Sequence, residues 1–344
     1  MIYKIDCSIG EGGGSIIRIA LALAAGTKTP IKLENIRSNR PNPGLQAQHV
    51  EAVRALQQLS GMKIKGCMIG SSTIEVSPGK AKCDLAKVNI KTAGSIPLVA
   101  QAVLYYAFSQ TRTIELVING GATHGKWAPS VEYIESVIYP LLSNMNKQIA
   151  LKIGKYGFYP KGGAKCEFSF YKHTSLEPLL LNDKGDLIRV EVFSIGSSIL
   201  RQRKVAERQL NSFLSAINVG IDIIPRVKYV NSLSPGTGLT VISQYSNGGI
   251  TGCFVPGERK LTSEQVGKLC AHKWQKNYEG NSTVDEYAAD QLIVPMALTD
   301  GNSSILVGKI TNHTKTNIAL IHKLTESKIE VVRERENYLI NVKN

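Results

Sequence analysis

Residues 10 to 18 read GEGGGSIIR. Gly12, Gly13 and Gly14 stand where a short strand gives way to a long apolar run, so the backbone there carries no side chain as a helix begins. Free N–H groups and the helix dipole at such a point favour an anion. Glu11 lies inside the turn, where its carboxylate is available to a metal ion. Arg18 falls in the first turns of the helix, where a cation opposes the dipole and calls for an anionic partner. Two readings stand: a phosphate-handling turn with Glu11 for a metal, or a glycine turn packed closely on a sheet with Arg18 in solvent.

Other residues with chemical potential are spread along the chain. Gly120 to Trp127 reads GGATHGKW and matches the G-x-x-x-x-G-K core of a nucleotide loop, but Trp127 stands where a hydroxyl would hold magnesium, which argues against that assignment. Thr283 and Glu286 have the spacing of a capping box, which predicts a helix start. Tyr287, Asp290 and Gln291 then fall at i, i+3 and i+4 on one face, suited to stacking and hydrogen-bonding a nucleobase or simply to facing water. His313, in NHTKTN, follows an apolar strand and is either structural or reactive. Arg201, Lys204 and Arg208 recur at i, i+3 and i+7, as a helix tracking an RNA backbone would have them, or as a solvated face would.

The elements that must position these residues repeat a phrase: small-residue turn, apolar helix, strand, polar loop, second helix. The first copy has helix 16–25, strand 31–36, loop 37–44 carrying Arg37 and Arg40, and helix 45–59 carrying Gln48 and His49. The second has helix 96–108, strand 113–118, loop 119–129 with Thr123, His124, Lys126 and Pro129, and helix 130–142. The third has helix 284–298, strand 304–310, loop 311–316 with His313, and helix 317–324. Between the second and third lies a segment that reads as strands 187–194, 226–230, 238–245 and 250–255 with a basic helix over 201–217 and another over 262–278. The expectation is an α/β (α+β) fold: a main domain of three repeated units over 1–180 and 277–344, with a smaller α+β domain inserted over 181–276.

Composition limits the function classes. The chain of 344 residues is 43% hydrophobic and 20% charged, as an ordinary globular protein is. No apolar run suggests a membrane span, and MIYKIDCSIG lacks a secretory pattern, so the expected location is the cytoplasm. A net charge of +14 favours a polyanionic partner, nucleic acid foremost. Six cysteines without a C-x-x-C pair read as reduced and mostly buried.

Taken together, GEGGGSIIR, RPNPGLQAQH (40–49), GFYPKGG, EYAADQLIVPMAL (286–298) and NHTKTNIA (312–319) resemble the RNA 3′-terminal phosphate cyclase family, in order and over nearly the whole chain. The resemblance implies three units, each a four-stranded sheet with two helices, plus the inserted domain. It implies ATP and a divalent metal, Mg or Mn, as cofactors and an RNA with a 3′-phosphate as substrate. It places the nucleophile, which would carry AMP, on His313. Glu11 would serve the metal, Arg18 and Arg40 the phosphates, and Gln48 the nucleotide pocket. Tyr287 and Pro129 would sandwich adenine, with Asp290 and Gln291 beside them. The loop ending at Pro129 is one residue longer than the family form. A non-catalytic RNA-binding relative and a carboxyvinyl transferase are the alternatives; the former lacks the histidine that matches His313. The sequence leaves monomer and homodimer both open.

Overall fold

In the computed structural model, which describes residues 2–10, 12–81 and 83–344, Asp6 ends strand β1 (Tyr3–Asp6) by accepting the N–H and hydroxyl of Ser8, at 2.9 and 2.7 Å. Gly10 and Gly12 then take left-handed backbone, φ 64° and 55°, which glycine adopts without a Cβ clash, and α1 (Gly14–Thr27) begins. β2 (Ile31–Glu34) returns parallel to β1, and α2 (Ala47–Ser60) is followed by β3 (Lys63–Lys65) and β4 (Ile74–Ser77). The sheet order is β1-β2-β4-β3, one parallel pair and then two antiparallel ones.

That sequence of pairings recurs. β5 (Leu85–Ser95), α3 (Ile96–Phe108) and β6 (Ile114–Ala122) precede a helix in three pieces, α4 (Val131–Tyr133), a π turn (Ile134–Ile138) and α5 (Tyr139–Ser143). Pro140 has no N–H to return to the preceding turn, which accounts for the local widening. β7 (Ile149–Lys155) and β8 (Lys165–Phe170) complete the order β5-β6-β8-β7.

After β9 (Leu180–Leu181) come β10 (Leu187–Ser197), a 3₁₀ turn (Ser198–Arg203) and α6 (Val205–Leu214). β11 (Ile223–Val230), β12 (Thr237–Tyr245), β13 (Ile250–Pro256) and α7 (Ser263–Glu279) follow. The chain ends with α8 (Glu286–Met296), β14 (Ser303–Val307), α9 (Asn312–Leu324), β15 (Lys328–Glu334) and β16 (Asn337–Lys343). Two further sheets, β11-β10-β12-β13 and β9-β14-β16-β15, again have one parallel pair and two antiparallel ones. The architecture is thus mixed α/β, with four four-stranded sheets among the described residues. The chain leaves β9 and returns at Thr283, whose hydroxyl donates to the Leu181 carbonyl at 3.0 Å.

One apolar core joins three of the sheets and takes in Ile242 and Ile250 of the fourth. Ile16, Ile17 and the run from Ile19 to Ala24 are all buried, so α1 is apolar all round and packs on α2, α3 and α9. A second core, with Val192, Leu210, Phe213, Val241 and Trp274, lies between the β10–β13 strands and helices α6 and α7. A small cluster of Val131, Tyr156, Phe158, Ile195 and Val230 joins the two. Among the described residues no helix is long and apolar enough to cross a membrane. Cys7, Cys166, Cys253 and Cys270 are buried and all six cysteines are free.

The structure corrects three local expectations. Thr283 does not cap α8: Asp285 does, accepting the N–H groups of Tyr287 and Ala288 at 3.0 and 3.1 Å, because the Thr283 hydroxyl is committed to Leu181. The loop predicted over 311–316 is helical, since Thr311 and Thr314 form a reciprocal cap that starts α9 at Asn312. The basic helix predicted over 201–217 is interrupted at Lys204, φ 49°, so Arg201, Lys204 and Arg208 do not share one helix face. Arg208 makes a bidentate pair with Glu264, and Arg201 lies 4.9 Å from the centre of the Tyr229 ring.

Candidate active site

Two helix N-termini from opposite ends of the chain meet at the glycine turn. A Cβ on Gly10 would fall 2.2 Å from Thr316 Oγ1 on α9, so only bare backbone permits this approach. Ser15 Oγ lies 3.2 Å from His313 Nδ1. His313 stands in the first turn of α9, and that turn is held from below by Asp290. The Asp290 carboxylate accepts both Thr311 Oγ1 at 2.7 Å and Thr314 Oγ1 at 2.6 Å, and its carbonyl accepts Asn317 Nδ2 at 2.8 Å. Burial raises the Asp290 carboxyl against the pull of those hydroxyls. Asp290 is therefore a positioning group for the helix that carries His313.

Gly13 and Gly14 open a cradle that side chains would fill. A Cβ on Gly14 would lie 2.2 Å from His49 Nε2 and 3.1 Å from Arg18 Nη1; one on Gly13 would lie 3.3 Å from Arg40 Nη2. His49 Nδ1 accepts the Gln46 N–H at 3.0 Å, which leaves Nδ1 bare and puts the ring proton on Nε2, the atom beside Gly14. Burial first, then Arg18 and Arg37, push the His49 imidazole down to about 3, so it is neutral at physiological pH and remains a donor through Nε2. Arg18 is buried on α1, and burial lowers its guanidinium to about 10, still charged at neutral pH. Its Nε donates to Gln101 Oε1 at 2.9 Å, and among the described residues no carboxylate pairs with it. A buried cation satisfied by one amide, beside a side-chain-free turn at a helix N-terminus, is set for an anion. The cradle fits phosphate.

The remaining expected residues occupy the surroundings. Gln48 Oε1 accepts the Ser95 N–H at 2.7 Å, against Gly94, where a Cβ would meet the Gln48 side chain. Tyr287 is 51% exposed and borders a cavity of about 630 Å³ whose lining includes Glu286, Glu336, Lys309 and Arg335. Gln291 is buried, its amide donating to the Tyr287 carbonyl at 3.3 Å and its own carbonyl accepting the Tyr105 hydroxyl at 3.2 Å. Pro129 is half-buried in the loop before α4. The helices next to Pro129 and Tyr287 are tied together, since Tyr133 Oη donates to Asp285 Oδ1 at 2.7 Å. Glu11, the expected metal ligand, lies outside the described residues. Among those described, no group of three or more His, Cys, Asp and Glu side chains could hold a metal.

A family model described as RNA 3′-terminal phosphate cyclase matches residues 9–331. The chain belongs to the RNA 3′-terminal phosphate cyclase family. It is 35% identical over 343 residues to an RNA 3′-terminal phosphate cyclase of Methanococcoides burtonii, covering 99% of both chains. Similar proteins of the same name from Pyrococcus abyssi and Trichormus variabilis are 36% and 33% identical, the former covering 93% of this chain and 92% of its own, the latter 96% of both. Among solved structures, the enolpyruvyl transferase NikO from Streptomyces tendae aligns at a TM-score of 0.38 and 9% identity, covering 99% of this chain and 48% of that one. Likeness at that level bears on neither fold nor chemistry. Family membership makes RNA the expected class of substrate.

Sequence reasoning missed Gln101, Ser15 and the Thr311/Thr314 pair. Gln101 had a signal: it is the one amide in IPLVAQAVLYYAF, an otherwise apolar helix. Ser15 had none, because its role depends on a partner 298 residues away.

Proposed function

We propose that the chain uses ATP to convert an RNA 3′-terminal phosphate to a 2′,3′-cyclic phosphate, through an AMP adduct of His313. The observation that carries this reading is the approach of Ser15 Oγ to His313 Nδ1 at the mouth of the cradle. With the ring proton on Nδ1 and donated to Ser15, the Nε2 lone pair is the nucleophile. Nε2 bonds to the α-phosphorus, the bond to the β-phosphate oxygen breaks, and pyrophosphate departs with the electron pair. An oxygen of the RNA 3′-phosphate then takes the adenylyl group and restores the imidazole. The neighbouring 2′-hydroxyl attacks the activated phosphorus, loses its proton and expels AMP.

Arg18, Arg40 and the Nε2–H of His49 would stabilise charge on the phosphates. A divalent metal, Mg or Mn, would neutralise further charge there, with Glu11 as its candidate ligand. Tyr287 and Pro129 would enclose the adenine, Gln48 and Gln291 would supply polar contacts, and Asp290 would hold the nucleophile's helix in place. The three sheets that share one core are, in this reading, three copies of one unit forming a catalytic domain over 1–180 and 277–344, with 181–276 inserted between the second and third.

The test is incubation of wild type and His313→Ala with a divalent metal and ATP labelled at the α-phosphate, without RNA. Label that stays on the denatured wild-type chain, is lost in acid, survives alkali and is absent from His313→Ala is the expected outcome. No label on folded, metal-supplied wild type would overturn the mechanism.

A further inference from the structure

The two most exposed aromatic rings of the described chain stand on neighbouring loops that project from beside the small cluster of Val131, Tyr156 and Phe158. Trp127 is 90% exposed and Tyr159 is 78% exposed. Trp127 also holds left-handed backbone, φ 62°, a conformation bulky residues avoid, so the loop keeps an unfavourable backbone in order to hold out a ring that buries nothing.

The base of that loop is rigid. His124 is buried, its Nε2 3.0 Å from Glu132 Oε2 and its Nδ1 3.0 Å from Thr123 Oγ1, with its ring against Phe158 and Phe254. Thr123 donates through both N–H and hydroxyl to the Gly157 carbonyl, at 2.9 and 3.1 Å, which pins the Trp127 loop to the Tyr159 turn. The Tyr159 turn is pinned in turn to residues 231–237: the Lys161 N–H donates to Ser234 Oγ at 3.1 Å, and Phe158 fills the space a Cβ on Gly236 would need. Lys126 reaches Glu258 at 2.8 Å, and the Gly257 N–H donates to the Thr237 carbonyl at 2.8 Å, which adds residues 256–260.

Across these four loops the charged side chains are Lys126, Lys161, Arg259 and Lys260 against the single carboxylate Glu258, which Lys126 neutralises. Lys161, Arg259 and Lys260 are all exposed. Two solvent-facing aromatic rings on a fixed base, flanked by unmatched cations, have the make-up of a stacking platform for single-stranded nucleic acid.

We propose that this surface seats the single-stranded body of the RNA upstream of its 3′ end, with bases stacked on Trp127 and Tyr159 and phosphates drawn to Lys161, Arg259 and Lys260. The proposal rests on RNA being the substrate. Every base presents a π face, so the platform is indifferent to sequence and selects for unpaired strands. Trp127 is two residues from Pro129, within roughly 7 Å of chain, so a strand seated on it arrives beside the nucleotide pocket.

The chain supplies its own reporter. Of its two tryptophans, Trp274 is 3% exposed and donates to Ser243 Oγ, so emission accessible to iodide comes from Trp127. The probe is a 12-nucleotide oligouridylate ending in a 3′-hydroxyl, which cannot be cyclised. It is expected to quench the iodide-accessible emission saturably and to bind more weakly as salt rises. Read by the anisotropy of the same strand carrying a 5′ fluorophore, which does not depend on Trp127, Trp127→Ala and Tyr159→Ala should each weaken binding about five- to tenfold, and Trp127→Phe should restore most of the loss. With the 3′-phosphorylated 12-mer, both alanine variants should raise KM for RNA and leave KM for ATP and kcat at wild-type values. Equal binding by wild type and both alanine variants, absence of quenching, or a rise in KM for ATP alone would overturn the platform. Binding of the 3′-hydroxyl strand needs neither ATP nor His313, so failure of the cyclase mechanism in the labelling test reads out separately.

Discussion

Burial against the glycine turn sets the chemistry of His49. Burial first, then the guanidinium groups of Arg18 and Arg37, hold its imidazole down at about 3, against 6.5 when free. The depressed value means the unfolded chain binds the proton more tightly, so this histidine's contribution to stability is fully present above pH 6.5 and is lost as pH falls toward 3. Relative to His49→Gln, which cannot protonate, wild type should lose about 2 kcal/mol between pH 7 and pH 5, measured by urea unfolding at each pH. The sequence showed His49 only as a polar residue at the end of RPNPGLQAQH; that its Nε2 comes against Gly14 follows from a contact between α2 and the turn before α1, which no local spacing encodes. Arg18 was legible for the opposite reason: a cation near a helix N-terminus contradicts the dipole wherever the helix goes.

Among the elements, α9 shows how a helix start can decide chemistry. Its cap comes from Thr311 and Thr314 and is braced by Asp290 on α8. Thr314→Val keeps the shape but removes a buried hydroxyl, leaving Asp290 one donor short and the Thr311 N–H without that acceptor. A loss of about 1–3 kcal/mol is expected in denaturant unfolding, together with slower labelling of His313 and little change in ATP affinity. The apolar periods of α1, α2 and α3 were readable to within a few residues, and α3 matches its expected span. The α9 start was not readable, because TNHTKT carries no apolar period and its helicity depends on two threonines and an aspartate from another helix. Lys204 broke the expected basic helix for a similar reason: charge spacing measures periodicity and is blind to one residue in left-handed backbone.

At the scale of the molecule, Asp285 is where three parts converge. It caps α8, accepts Tyr133 Oη from the helix after the Pro129 loop, and accepts the Gly252 N–H from β13 at 2.8 Å. Tyr133→Phe removes one of those bonds from a buried carboxylate and should destabilise the fold by about 2 kcal/mol, read from the denaturation midpoint. If Pro129 and Tyr287 enclose adenine, the same change should also weaken ATP binding with no loss of the nucleophile. The four sheets carry one pairing scheme, of which the helix–strand pieces α1–β2, α3–β6 and α8–β14 could be seen in the sequence. The closing strands β15 and β16 and the short β9 could not, since β9 has only two residues and owes its place to β14. The hydrogen bond from Thr283 to Leu181 gives this layout a further meaning. The chain from Asn182 to Ser282 is a loop whose two ends are already closed at that bond, and it is held again further out, where Thr240 Oγ1 lies 2.8 Å from Ser130 Oγ and the Gly252 N–H donates to Asp285. Lengthening such a loop costs only about 0.6 kcal/mol per doubling. Closing the ends at Thr283 and Leu181 therefore puts almost no limit on how many residues the loop between them can hold.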